Sequence, residues 1–144
     1  MSIRFASTAC LALSAASAWG GLGEDHFRLG DQQRQGRPSQ QPGAAYTRLD
    51  VELQSGTSVR AYQDRSGVIF AVGWSGPVLP DLRAVLGKHF EALDSHQRRP
   101  GPGGALIVRR PDLVVVSEGR LGAFQGRAWL PGSLPFGFEP GSLP

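Results

Sequence analysis

Between residues 46 and 130 the apolar positions repeat with two periods. Leu49, Val51 and Leu53 alternate with Arg48, Asp50, Glu52 and Gln54, the two-residue period of a strand with one wet face. Ser55-Gly56 turns the chain into residues 57–63, where Val59 and Ala61 continue the apolar face. A second turn, Asp64-Arg65-Ser66-Gly67, leads into Val68–Trp74, a run so apolar that it predicts the most deeply buried strand. Short turns between such runs imply an antiparallel meander.

The period then changes. In PDLRAVLGKHFEALDSHQ, Leu82, Val85, Leu86, Phe90 and Leu93 fall on one helical stripe, with Arg83, Lys88, Glu91 and Asp94 elsewhere. Pro80 and Asp81 suit its first turn, and RRPGPGG (98–104) ends it. Gly87, in mid-helix, costs about 1 kcal/mol in propensity and predicts a close approach of the helix to the sheet. Residues 105–108, 113–117 and 121–130 then read as three further strands. The prediction is an α+β domain: an antiparallel sheet of about six short strands, in the order three strands, helix, three strands, with the helix on one face.

The flanks read differently. Residues 28–45, RLGDQQRQGRPSQQPGAA, carry too little apolar surface to offset ordering entropy and predict a flexible segment. The expected organisation is a signal peptide at 1–20, a flexible Gln/Pro/Gly-rich segment at 21–45, the domain at 46–130 and a Pro/Gly-rich tail at 131–144. That tail repeats PGSLP around Phe136 and Phe138. It predicts either a tail that is frayed or packed on the domain's surface, or an extended peptide that docks on another protein.

The signal-peptide reading rests on Arg4, an apolar run from Phe5 to about Ala16, and small residues up to Gly20. Its apolar run falls well short of the ~20 residues that span a bilayer, and no later segment approaches that length. Cleavage before Gly21 or before Trp19 would remove Cys10, leaving a chain without disulfide, thiolate or Cys-based metal chemistry. Removing Arg4 from the 15 Lys+Arg leaves 14 against 12 Asp+Glu. That slight excess, with no basic face, predicts no nucleic-acid partner.

No catalytic constellation emerges. Gly73-Trp74-Ser75-Gly76 invites comparison with a nucleophile elbow, but the second glycine is displaced and Pro77 and Pro80 delay the helix. His89 and His96 stand seven apart, about 10 Å along a helix axis, too far to share a zinc ion bonded at about 2 Å. His26 precedes the flexible segment, and Gly101-Pro102-Gly103-Gly104 lacks the lysine and helix of a phosphate loop. Asp50 and Glu52 share the wet strand face without a second acid pair. No cofactor and no metal are expected.

What remains is binding. Tyr62, Trp74, Phe124 and Trp129 lie on or at the ends of strands, with Arg60 and Arg127 on the same segments and Phe136 and Phe138 in the tail. Aromatic and arginine combinations are enriched in interface hot spots, so these residues form the candidate interaction surface; the alternative for the strand aromatics is the core itself.

Two stretches, VRAYQDRSGVIFAVGWSGPVLPDLRAVLGKHF and PDLVVVSEGRLGAFQGRAWLPGSLPFGF, carry a family resemblance. The chain resembles short exported bacterial proteins grouped as domain of unknown function 2844, over Tyr46 to Phe138 together with the signal peptide and the Leu22-Gly23 start. The distinctive combination is an apolar strand ending Trp-x-Gly-Pro, followed by Pro-Asp-Leu-Arg and Leu-Gly-x-x-Phe. The resemblance implies a periplasmic or extracellular location and supplies no activity. The long Gln/Arg/Pro segment departs from it.

The expected function is therefore that of an exported, non-enzymatic envelope protein acting by binding a protein or another envelope component. The alternatives are a small envelope hydrolase with an unrecognised site and a structural accessory subunit docked through its C-terminal tail.

Overall fold

The computed structural model describes residues 21–25, 35–37, 39–94 and 105–143. The signal peptide, the helix stop at 98–104, His26 and His96 lie outside them.

Among the described residues seven strands form one fully antiparallel sheet: β1 (Ser39–Pro42), β2 (Thr47–Glu52), β3 (Ser58–Gln63), β4 (Ile69–Gly76), β5 (Leu106–Arg109), β6 (Val114–Arg120) and β7 (Ala123–Trp129). Their order across the sheet is β1-β2-β3-β4-β7-β6-β5. Two meanders meet where β4 pairs with β7, so the most apolar strand lies at the centre. The expected α+β layer is present, with one strand more than expected. The addition is β1, a hairpin partner of β2 whose four residues are all exposed. With neither face buried it carries no alternation, and it lies within residues 28–45, whose low apolar content predicts a flexible segment.

The helical segment runs from Leu82 to Asp94 in three pieces: α1 (Leu82–Leu86), a 3-10 turn (Gly87–His89) and α2 (Phe90–Asp94). Asp81 is its N-cap and not part of its first turn, since the carboxylate accepts from the amides of Arg83 at 3.0 Å and Ala84 at 3.4 Å. Leu82, Val85, Leu86 and Leu93 face a core built from Leu49, Val51, Val59, Val72, Trp74, Val115 and Ala128.

Gly87 has a different neighbour from the expected one. It closes α1 at φ 53, a left-handed value suited to glycine. Against it lies Gly21, where a Cβ would stand 2.7 Å from the Gly87 amide nitrogen. The close approach is thus to the segment 21–25. Leu22 is fully buried in the core, donates its amide to Val85 O at 3.1 Å, and hands the chain to Gly23, which donates to Ile69 O at 2.7 Å. Burial of one leucine contributes about 1.5–3 kcal/mol. Five residues too few to fold alone therefore act as a clip between helix and sheet.

The second face of the sheet is covered too. Opposite Tyr62 and Gln63 the register slips by one residue, so Phe70 is extra in β4 and consecutive residues, Phe70 and Ala71, both turn away from the helix. Over them lies the tail. Each PGSLP copy makes a 3-10 turn at Pro-Gly-Ser and then extends at its leucine. Leu134 is half-buried and Leu143 buried against Tyr62, Phe70 and Ala71. The tail packs on the chain's own sheet.

Candidate functional site

The strand register sorts the candidate residues by face. Arg48 stands opposite Tyr62, and Asp50 opposite Arg60. Arg60 and Tyr62 pair with Gly73 and Ala71, which in turn pair with Arg127 and Trp129. This face, opposite the helix, gathers Arg60, Tyr62, Arg127 and Trp129, and the tail brings Phe136 and Phe138 onto it.

Two candidates do not belong there. Trp74 is fully buried on the helix face, its indole lying over Gly126, and is removed from any exposed surface. The pleat explains this: Trp74 shares the parity of Val72, which faces the helix. Phe124, half-buried, lies at the far end of β7 opposite Gly76 and Gly119, beside a cavity of about 510 Å³.

Phe138 anchors the tail in an aromatic cage. Its ring centroid lies 4.9 Å from Phe70, 5.3 Å from Tyr46 and 5.3 Å from Tyr62, all in edge-to-face geometry. Such pairs contribute about 0.5–1.5 kcal/mol each beyond the area buried. Phe136, two residues earlier, is wholly exposed.

Between the β1–β2 hairpin and the tail the face opens into a groove of about 640 Å³, lined by the 42–45 loop, Tyr46, Arg48, Arg60, Tyr62 and Phe136. A volume in the range of roughly 300–1,000 Å³ is typical of ligand sites. Burial raises the Tyr62 phenol above its ordinary 10.0 against the opposing pull of Arg48 and Arg60, so it is a neutral donor at physiological pH.

The charges along the groove are unequally engaged. Asp50 Oδ2 accepts from Arg48 Nε at 3.0 Å, Arg48 Nη2 at 3.0 Å and Gln41 Nε2 at 3.2 Å. Arg60 Nε meets Asp50 Oδ1 only at 3.6 Å. Arg127 donates from Nη1 to Leu143 O at 3.4 Å, while its Nε is buried and unpaired among the described residues. Tyr46, Arg48 and the Phe70 wall were missed as site residues. The available signal was the polar side of the strand alternation, which places Arg48 beside Tyr62 once the hairpin register is known.

The geometry around Ser75 and His89 does not join them. β4 continues as paired strand through Ser75 and Gly76, so Ser75 sits on no sharp turn. Gly23 hydrogen-bonds Ile69 at the start of β4, and a Cβ on Gly23 would lie 3.0 Å from His89 Nε2. Ser75 is six residues further along that strand, roughly 20 Å away. Burial, and then Lys88, lower the His89 pKa. Among the described residues no cluster of His, Cys, Asp and Glu is placed to hold a metal ion. Among them, too, no helix is long and apolar enough to cross a membrane.

A family model described as Protein of unknown function (DUF2844) matches residues 16–143. No curated protein and no solved structure matches the chain.

Proposed function

The chain belongs to this family, and we propose that it is an exported, non-enzymatic binding protein of the cell envelope that holds a protein partner in the groove between the β1–β2 hairpin and the tail. The observation that carries the reading is a wholly exposed phenylalanine, Phe136, standing at the rim of a groove whose other walls are Tyr46, Tyr62, Arg48 and Arg60. Large aromatics dominate binding energy in interfaces because they bury much area for little lost freedom, and arginines join them through a planar fork of donors that pairs and stacks. A lone exposed phenylalanine contributes nothing to folding here, since it is in water.

Export is supported by the n-region, h-region and small-residue order of residues 1–20. The tail serves as a wall of the site: Phe138 and Leu143 fix it to the sheet and leave Phe136 outward. The test is retention of envelope proteins from the host on immobilised wild-type chain and on Phe136→Ala and Arg60→Ala variants, quantified by mass spectrometry. The expected result is one protein retained by the wild type and reduced roughly tenfold or more by either variant, with unchanged circular dichroism. Equal retention by all the forms would contradict the reading.

A further inference from the structure

Resting on that reading, we infer that the segment bound in the groove is an extended acidic peptide, one of whose carboxylates is received by Arg60. The argument starts from what the guanidiniums lack. Arg carries five N–H donors in a fixed fork that fits a carboxylate in bidentate fashion. Arg48 spends its fork on Asp50, making both contacts at 3.0 Å. Arg60 has only the long 3.6 Å approach to the same carboxylate, and 43% of its side chain is exposed. One aspartate thus answers two arginines, and the second arginine keeps its donors toward the groove.

The surroundings sharpen the charge. Gly73 lies in register between Arg60 and Arg127, so the strand between those two guanidiniums contributes no side chain of its own. At the usual strand spacing their Cα atoms are roughly 10 Å apart, a span over which two forks can converge on one anion. The acids of the next row keep their charge but turn their carboxylates to neutral neighbours, Glu52 accepting from Ser58 and Glu118 from Gln125, each at 3.0 Å.

The same face shows what kind of chain it takes. Its tail is already a peptide bound in cis, anchored by Phe138 in the Tyr46–Tyr62–Phe70 cage, with the backbone carbonyl of Leu143 accepting from Arg127. The open groove repeats that chemistry, aromatic wall beside guanidinium, with a charge still to be matched. An extended chain with an apolar side chain and a neighbouring Asp or Glu satisfies both.

A library of short linear peptides displayed on phage, selected against the purified chain, tests this. The expected outcome is enrichment of peptides carrying Asp or Glu beside an apolar residue. Their affinity should fall about tenfold or more in Arg60→Gln and on raising salt, and stay unchanged in Arg120→Gln. Asp50 keeps Arg48 in the Arg60→Gln variant, so its fold is retained and circular dichroism checks this. Enriched peptides without acidic residues, lost in Phe136→Ala but unaffected in Arg60→Gln, would overturn the acidic chemistry while leaving the groove as the binding site. Binding of polygalacturonate oligomers with no peptide enriched would overturn the peptide in favour of an acidic glycan. Enrichment indifferent to both variants would overturn the site along with the inference.

Discussion

Substitution of Gly126 by alanine tests the packing of the central strands. Gly126 faces Trp74 across the β4–β7 pair, and a Cβ there would lie 2.5 Å from Cε2 and 2.8 Å from Nε1 of the indole. Ordinary carbon–carbon contact is about 3.5–4.0 Å, so the indole or the strand must move by roughly 1 Å. The indole has nowhere to go: it is fully buried, with fully buried Val59 opposite it on the other neighbouring strand. Overpacking of this kind costs typically 1–3 kcal/mol, and a closed aromatic site belongs at the upper end. For a domain of this size about 3 kcal/mol lowers Tm by roughly 10 °C. The assay is thermal unfolding followed by far-UV circular dichroism, with Gly132→Ala as control. A Cβ at 132 meets nothing within 4 Å, so that variant should melt with the wild type. The Trp74→Phe background should recover part of the loss by vacating the overlap. It also removes an indole N–H that is buried without a partner among the described residues. A Gly126→Ala chain melting within about 2 °C of wild type would refute the packing argument.

Other expectations concern the segments that close the fold. Leu22→Ala should destabilise by about 2–5 kcal/mol, read as a lowered urea midpoint, because the leucine is fully buried between helix and sheet. Phe138→Ala should cost about 3 kcal/mol and open residues 131–143 to limited proteolysis, whereas Phe136→Ala should change stability by no more than about 0.5 kcal/mol. His89 gives a pH dependence. Burial and Lys88 hold its folded pKa below the ordinary 6.5, so the unfolded chain takes the proton first. Stability is then full above that value and lost as pH falls through it toward the folded pKa. Urea midpoints at about pH 7.5 and about pH 5.5 should therefore differ in the wild type by more than in His89→Gln.

Much of the sheet was legible because burial on one face writes itself as alternation. Leu49, Val51 and Leu53 identified β2 in this way, and the meander turns identified β3 and β4. The strand β1 was not legible, since Ser39 to Pro42 bury nothing and are held to β2 by backbone pairing and one exposed side-chain bond from Gln41 to Asp50. The apolar run at β4 held more information than was drawn from it. A strand apolar on both sides needs cover on both, and the helix supplies only one; the second cover is the tail, whose prolines gave no periodicity. Leu22 was hidden by its setting, an isolated leucine between glycines, where docking on the helix depends on Gly87 and no local pattern announces it. For the site, Arg60, Tyr62, Arg127, Trp129, Phe136 and Phe138 were identifiable by residue type, but their convergence depends on register and on where the tail lies. Trp74 was misplaced among them because type alone does not report which way a strand residue points.

The central claim is that the groove beside Phe136 is where a partner binds. Incorporation of a photo-crosslinking phenylalanine analogue in the host tests it most directly, at position 136 and, in a second strain, at position 121. Leu121 is 93% exposed and lies in the β6–β7 turn outside the groove, so it controls for exposure. The account predicts one discrete crosslinked protein from position 136 and none from 121. Illumination that yields no product at 136, or the same products at both positions, would contradict it.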